Sequence, residues 1–208
     1  MAIASLSKLS VPLPAGQSAS SQGLLMPKLK YRFRVQLQNF GVTKPTTEIT
    51  KQVMNVTRPK VTFENIELHV YNSKVNYAGK YTWDPITLVV RDDQSSAVSK
   101  LCGEQIQKQF DFYEQASASS GIDYKFSTVI EILDGGNGAY DPTVLETFQL
   151  IGCYVTDITY QQVDYSSSEA LDISMSIKFD NAIQTDTAGN PIGIGTAVGR
   201  TLGTLASG

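Results

Sequence analysis

Histidine and cysteine are scarce in this chain: 208 residues hold one His, two Cys and a single Trp. His69 has no carboxylate or thiol near it at ligand spacing, so neither a metal site nor a His-based general base is expected. Cys102 and Cys153 are too few for a disulfide framework, and both sit among apolar neighbours. They read as buried thiols in a reducing compartment. Long apolar runs are missing too. The opening MAIASLSKLSVPLPAGQSASSQG has no basic flank leading into an apolar stretch, so residues 1–25 read as a flexible arm, with no signal peptide and no membrane insertion of this chain. Carboxylates are abundant, but no spacing singles out an acid/base pair. The glycines of GIGTAVG, 193–199, lack the strand before and the helix after that a phosphate loop requires. No catalytic residue, metal ligand or cofactor is expected, and the chain does not read as an enzyme.

What is present is an uneven distribution of charge. Residues 1–60 carry nine Lys/Arg against Glu48 alone, net +8, whereas the remainder carries eight against nineteen acids, net −11. Such a split suits either a nucleic-acid patch on the basic strand KLKYRFRV, through Lys30, Arg32 and Arg34, or copies of the chain docking basic surface to acidic surface.

Strand periodicity dominates the pattern. Over 28–38, Leu29, Tyr31, Phe33, Val35 and Leu37 alternate with Lys28, Lys30, Arg32, Arg34, Gln36 and Gln38, which describes a half-buried strand. EITKQVMNVT, 48–57, reads as a second strand, stopped by Arg58-Pro59 because proline cannot donate to a ladder. VTFENIELHVYNSKVNYAGK follows as a long β-prone hairpin or loop with turn signals at 71–73 and at Ala78-Gly79, and TWDPITLVV as a further strand. Helical spacing appears once: Val98, Leu101, Cys102, Ile106, Phe110 and Tyr113 recur at steps of three and four, ended by ASASSG. Asp92 and Asp93 stand before that helix, where carboxylates accept from its orphan N–H groups. Strands are expected at 123–133, 145–160 and 170–179; in the last, Asp172, Ser174 and Ser176 face away from Leu171, Ile173 and Met175. The Gly/Thr-rich end, 185–208, has too little apolar bulk to pack alone. The expected body is 26–184, mostly β, a sandwich or barrel-like fold with one amphipathic helix. Its open strand edges, and a β-prone excursion longer than about 15 residues, make assembly a live reading.

The order of a basic alternating strand, a Pro-ended segment, a long loop and then VNYAGKYTWDPITLVVRDD before the helix resembles the tail tube proteins of contractile-tailed bacteriophages, over roughly residues 26–182. Type VI secretion and other contractile injection systems have related tubes. The resemblance implies a tail-tube β domain that assembles as a homo-hexamer in stacked rings, a conduit for DNA ejection in the virion, assembled in the host cytoplasm. It implies as partners a tail sheath protein, baseplate and tail terminator proteins, and double-stranded DNA that passes without specific binding. Six subunits giving four strands each would make a 24-stranded wall about 45–50 Å across. On this reading Tyr71, Asn72, Lys74, Asn76, Tyr77, Ala78 and Gly79 reach a neighbouring subunit or ring, with Ala78-Gly79 reversing the chain, and Trp83 anchors the excursion. Because fixed cations would grip DNA, the bore lining is expected from Asp172, Ser174 and Ser176, with Lys30, Arg32 and Arg34 at a subunit contact. The alternatives are an inner tube protein of a contractile injection or type VI-like secretion system and a solitary β-sandwich that binds a ligand or nucleic acid.

Overall fold

The computed structural model describes residues 27–43, 46–135 and 141–196. The expected arm 1–25, the end of the Gly/Thr-rich extension from 197 and most of DGGNG lie outside the described residues. In chain order the elements are β1 (Phe33–Gln38), α1 (Thr47–Gln52), β2 (Val53–Val56), β3 (Lys60–Val70), β4 (Ser73–Asp84), β5 (Ile86–Arg91), α2 (Ala97–Gln109), β6 (Phe110–Asp111), β7 (Ala116–Ser117), α3 (Gly121–Tyr124), β8 (Phe126–Leu133), β9 (Val144–Tyr160), β10 (Asp172–Lys178) and β11 (Asn181–Thr185). The chain is mostly β, and every strand pairing is antiparallel.

One continuous ladder runs β1-β8-β9-β10-β5-β2, with β11 added to β9. It folds on itself because β9 belongs to two layers. Its first half pairs with β8 and β11, its second half with β10. The changeover falls at Gly152, whose φ of 72° favours glycine and which the Asp180 carboxylate approaches closely. Period-two alternation then sends one face of each layer inward: Val35 and Leu37 from β1, Leu88 and Val90 from β5, Ile130 from β8, Leu150 from β9, Ile173 and Met175 from β10, all buried. The two ends of the ladder, β1 and β2, approach each other without pairing, which leaves a seam.

Helix α2 covers the open end of this barrel-like sandwich, with Val98, Leu101 and Cys102 in the common core. It is shorter than its apolar spacing suggests. Phe110 and the exposed Tyr113 continue the stripe in sequence, but the helix stops at Gln109, and the Asp111 carboxylate accepts from the N–H groups of Tyr113 (2.9 Å) and Glu114 (3.2 Å) to form a turn. That local capture competes with helical pairing and wins. The Ser-rich stretch therefore ends the small β6–β7 hairpin, not the helix.

Two short helices accompany it. The expected strand 48–57 is half helix: TEITKQ coils so that Ile49 enters the core, fully buried, and only Val53–Val56 is extended. Its β-branched residues signal strand, and tertiary burial overrides them. Gly121–Tyr124 forms one turn with a capping box from Ser120 and Asp123, so the strand expected from 123 starts at Phe126. At the other end, the boundary drawn between 184 and 185 falls inside β11. The next residues fold back on it, with Gln184 N–H donating to Ile194 C=O at 2.9 Å and Ile192 N–H to Gln184 C=O at 2.8 Å, and Ile194 packs against the core.

Candidate assembly surfaces

The most unusual element is the β3–β4 hairpin. β4 has twelve residues, about 40 Å of extended chain and twice an ordinary strand. It pairs with nothing but β3. The reversal is at Tyr71-Asn72, where Tyr71 takes φ 49°. Ala78-Gly79, expected to reverse the chain, instead lies within β4. There the register shifts between Phe63 and Asn65, so that β4 carries one extra residue as a bulge. Gly79 eases a close approach, since a Cβ there would crowd the Glu64 carbonyl oxygen at 3.1 Å.

The two halves of this hairpin turn opposite apolar faces. Near its base, Val61 pairs with Trp83 and Phe63 with Tyr81. Trp83 is only 8% exposed and packs on Phe179, ring centroids 5.4 Å apart, and on Tyr81. Beyond the bulge the apolar pairs are Ile66 with Tyr77 and Leu68 with Val75. Because β3 alternates without interruption, the step of three from Phe63 to Ile66 puts this distal set on the other face. Ile66, Leu68, Val70, Val75 and Tyr77 are 41–55% exposed. The reverse of the distal half is polar, with Asn65 bonded to Asn76 and Glu67 paired to Lys74. At the root, the Asp84 carboxylate bonds Lys60 at 2.8 Å and raises its pKa, by hydrogen bond first and charge second.

The structure places the remaining expected residues as follows. Tyr71, Asn72, Lys74, Asn76, Tyr77 and Ala78 are all exposed on the distal hairpin. Asp93, not Asp92, meets the start of α2: its Oδ1 accepts from Ala97 N–H (2.9 Å) and Val98 N–H (3.4 Å), while Asp92 accepts only from Asp93 N–H. The Ser95 hydroxyl first holds the Asp93 carboxyl below its usual range, against a desolvation penalty that ranks second, and the amides add smaller help. Asp172, Ser174 and Ser176 lie together on the outward face of β10, opposite Arg91, Val89 and Thr87 of β5 and, for the two serines, Thr159 and Asp157 of β9. This face is rich in hydroxyls, and its Asp172 stands across from Arg91. The basic trio separates. Arg34 pairs with Glu131 and Arg32 donates to Asp134 C=O, so both are neutralised or engaged within the chain, whereas Lys30 is exposed.

Two further features were not foreseen. Glu104 on α2 accepts from the Thr43 hydroxyl, Thr43 N–H and Val42 N–H, which in that order hold its carboxyl down at about 2. It thereby fastens the loop after β1 onto the helix. Glu146, buried, accepts from Lys28 and Gln184, joining the start of the body to β11. The thiols are chemically quiet: burial, then the nearby Asp92 charge, pushes Cys102 up to about 12, and burial also raises Cys153. Among the described residues no group of three His, Cys, Asp or Glu could hold a metal ion, and no helix is long and apolar enough to cross a membrane.

Comparison with solved structures gives this geometry a context. A chain in the cryo-EM structure of the anti-feeding prophage baseplate, six-fold symmetrised, superposes with a TM-score of 0.58 at 14% identity, over 79% of this chain and 99% of that one. This chain carries its fold. A chain in the sheath-tube complex of the extracellular contractile injection system PVC, in the extended state, matches with a TM-score of 0.55 at 16% identity, over 82% and 99%. One in the PVC sheath/tube terminator matches with 0.56 at 16%, over 78% and 99%. No protein-family model matches the chain, and no curated protein matches it in sequence. At such identity the likeness is one of fold, shared with chains of contractile particles.

Proposed function

We propose that this chain is the subunit of a tail tube, forming hexameric rings that stack into the inner conduit of a contractile-tailed phage virion and through which DNA is ejected. The observation that carries the reading is the projecting hairpin with its exposed apolar face, on a fold shared with chains of contractile assemblies. Neither half suffices alone, because the fold hosts a shape and the unpartnered face supplies a reason to assemble.

Magnitudes favour a closed multi-contact assembly. Completing the burial of five half-exposed apolar side chains yields about 1 kcal/mol each. That total is comparable to the lower end of the association cost of about 4–15 kcal/mol. A hairpin contact by itself therefore gives weak dimers; a ring, in which every copy gives and receives, gains from multivalency. Sheath, baseplate and terminator proteins are the partners of such a tube, and the hydroxyl-rich β10 face is the proposed lining, since it offers DNA few fixed cations to bind.

A second reading is the tube of a contractile injection system, favoured by the particles in which the matching chains occur. Size-exclusion chromatography followed by negative-stain microscopy tests the shared core of both readings. Annular or tubular particles are expected from the intact chain, and a folded monomer when residues 71–79 are replaced by a short Gly/Ser linker. A chain that stays monomeric when concentrated and seeded with a tail base would overturn both.

A further inference from the structure

The β1/β2 seam opens into a groove of about 820 Å³. Its wall includes the apolar Val35, Val53 and Ile130, and its rim carries Lys28, Lys30 and Arg58. Lys30 and Arg58 make no ion pair among the described residues, and both strands beside the groove keep one edge unpaired. Such an edge is a place for another chain to dock.

A complementary shape sits elsewhere on the same molecule. The β6–β7 turn presents Phe112 and Tyr113, the latter 95% exposed, stacked from below by Phe110 edge-on to Phe112 at 5.3 Å. Asp111 fixes the turn by accepting from Tyr113 and Glu114 N–H, and Gln107 braces Asp111 at 2.7 Å. The aromatics are thus held out in water by a rigid support, with two acids, Asp111 and Glu114, beside them. Rigid aromatics with few torsions to freeze make good anchors in an interface.

The groove runs along residues 28–35 at the start of β1 and 53–58 on and after β2. The turn follows the C-terminal end of α2, which is held past the other end of β1, where Lys108 donates to Asn39 C=O at 3.3 Å, and on β9, where the Gln109 side chain bonds Val155 through both its amide N–H and its carbonyl, each at 2.9 Å. A knob and a socket at separate places on one molecule generate head-to-tail contacts, which close into rings when the rotation permits.

We propose that the Phe112–Tyr113 turn of one copy seats in the β1/β2 groove of the next, as the lateral contact within a ring. Two aromatic rings suit the apolar interior, and Glu114 meets the cationic rim, so the contact joins the acidic portion of one copy to the basic portion of its neighbour. It rests on the ring-forming reading above.

The test is site-directed cross-linking of the full chain with a flexible bismaleimide, using Tyr113→Cys in one preparation and Met54→Cys, an exposed groove residue, in another. An equimolar mixture is expected to give a covalent dimer that neither preparation gives alone, and a chain carrying both substitutions a ladder. Particles seen by microscopy without the mixed dimer would overturn this contact and leave the tube reading standing; absence of both particles and dimer would overturn the two together. A charge swap supplies an independent check. Glu114→Lys is expected to raise the concentration needed for assembly about tenfold, and Lys30→Glu in the same chain to restore it, as expected for a charge pair at the rim of an interface. Failure of Lys30→Glu to restore assembly would place Glu114 against some other surface.

Discussion

The body and the β3–β4 hairpin obey the same alternation and resolve it differently. In the body one apolar face of the strands ends inside the molecule, against another strand or α2, and the outward faces are mostly polar, with single apolar residues such as Met54 and Ile151 exposed. In the distal hairpin the apolar face ends in solvent. The first arrangement is complete within one chain; the second becomes complete only when something covers it. The bulge at Gly79 marks the border at which the apolar face changes sides: on the inner side it runs from Trp83 and Val61, packed with the body's core, out to the exposed Phe63 and Tyr81, and on the outer side it turns the other way.

The largest expected effect lies on the outer side of that border. Changing the cross-strand pair Leu68 and Val75 together to Asp should abolish particles in negative stain, while the unfolding free energy of the monomer stays within about 0.5 kcal/mol of the original. Loss of the fold in that variant would show that the hairpin belongs to the body after all. In the body the same logic reverses: Leu88→Ala, at a fully buried position, should cost about 2–5 kcal/mol in denaturant unfolding. Trp83→Ala sits at the joint. It should cost about 3–5 kcal/mol and also impair assembly, since the hairpin base would lose its packing on Phe179.

Smaller effects concern the ties that hold loops to the body. Glu104→Ala removes three acceptor contacts and should cost about 1–2 kcal/mol. The same group predicts a pH dependence. Its folded value, about 2, lies below the ordinary 4.5, so its contribution is present above pH 4.5 and is lost as pH falls from there through 2. Glu104→Gln should therefore flatten the fall in melting temperature over that window; an unchanged slope would show that Glu104 does not set it.

Much of the body was legible because burial and periodicity coincide there. β1, β5 and β10 alternate cleanly, and α2 shows its stripe through Val98, Leu101 and Cys102. The failures occur where a local interaction breaks the period. Ile106 to Phe110 is a helical step in sequence, yet the Asp111 side chain takes the next amides and makes a turn. Thr47 to Gln52 looks extended by propensity and coils to bury Ile49. β11 follows β10 so closely that it has no separate signal in sequence, and the body's boundary after 184 cuts through it. The switch of apolar face in the hairpin was present in the spacing of Val61, Phe63, Ile66, Leu68 and Val70, but Ala78-Gly79 resembled a reversal, and only pairing reveals the bulge. The hairpin residues were placed on one excursion by sequence alone; that its outer half lacks a partner is a three-dimensional fact.

The smallest effect on the protein itself is expected on the β10 face, and it separates outer polar surfaces that look alike. Ser174 and Ser176 are half-buried, directed outward, and stand across from Val89 and Thr87 of β5 and from Thr159 and Asp157 of β9. Replacing both with Lys should change stability by no more than about 0.5 kcal/mol and leave rings intact, because outward-facing positions away from the core tolerate such changes. If this face lines the bore, however, six copies per ring place twelve new cations around a duplex. Each phosphate neutralised steepens the salt dependence of binding by about 0.9 in log–log slope. Assembled particles of the variant should then retain duplex DNA at low salt and release it sharply as salt rises, where the original chain retains little at any salt. Equal, weak retention by both would put the β10 face on the outside of the particle, and the lining would have to be sought on the outward face of β1 and β8, where Arg34 is already paired with Glu131.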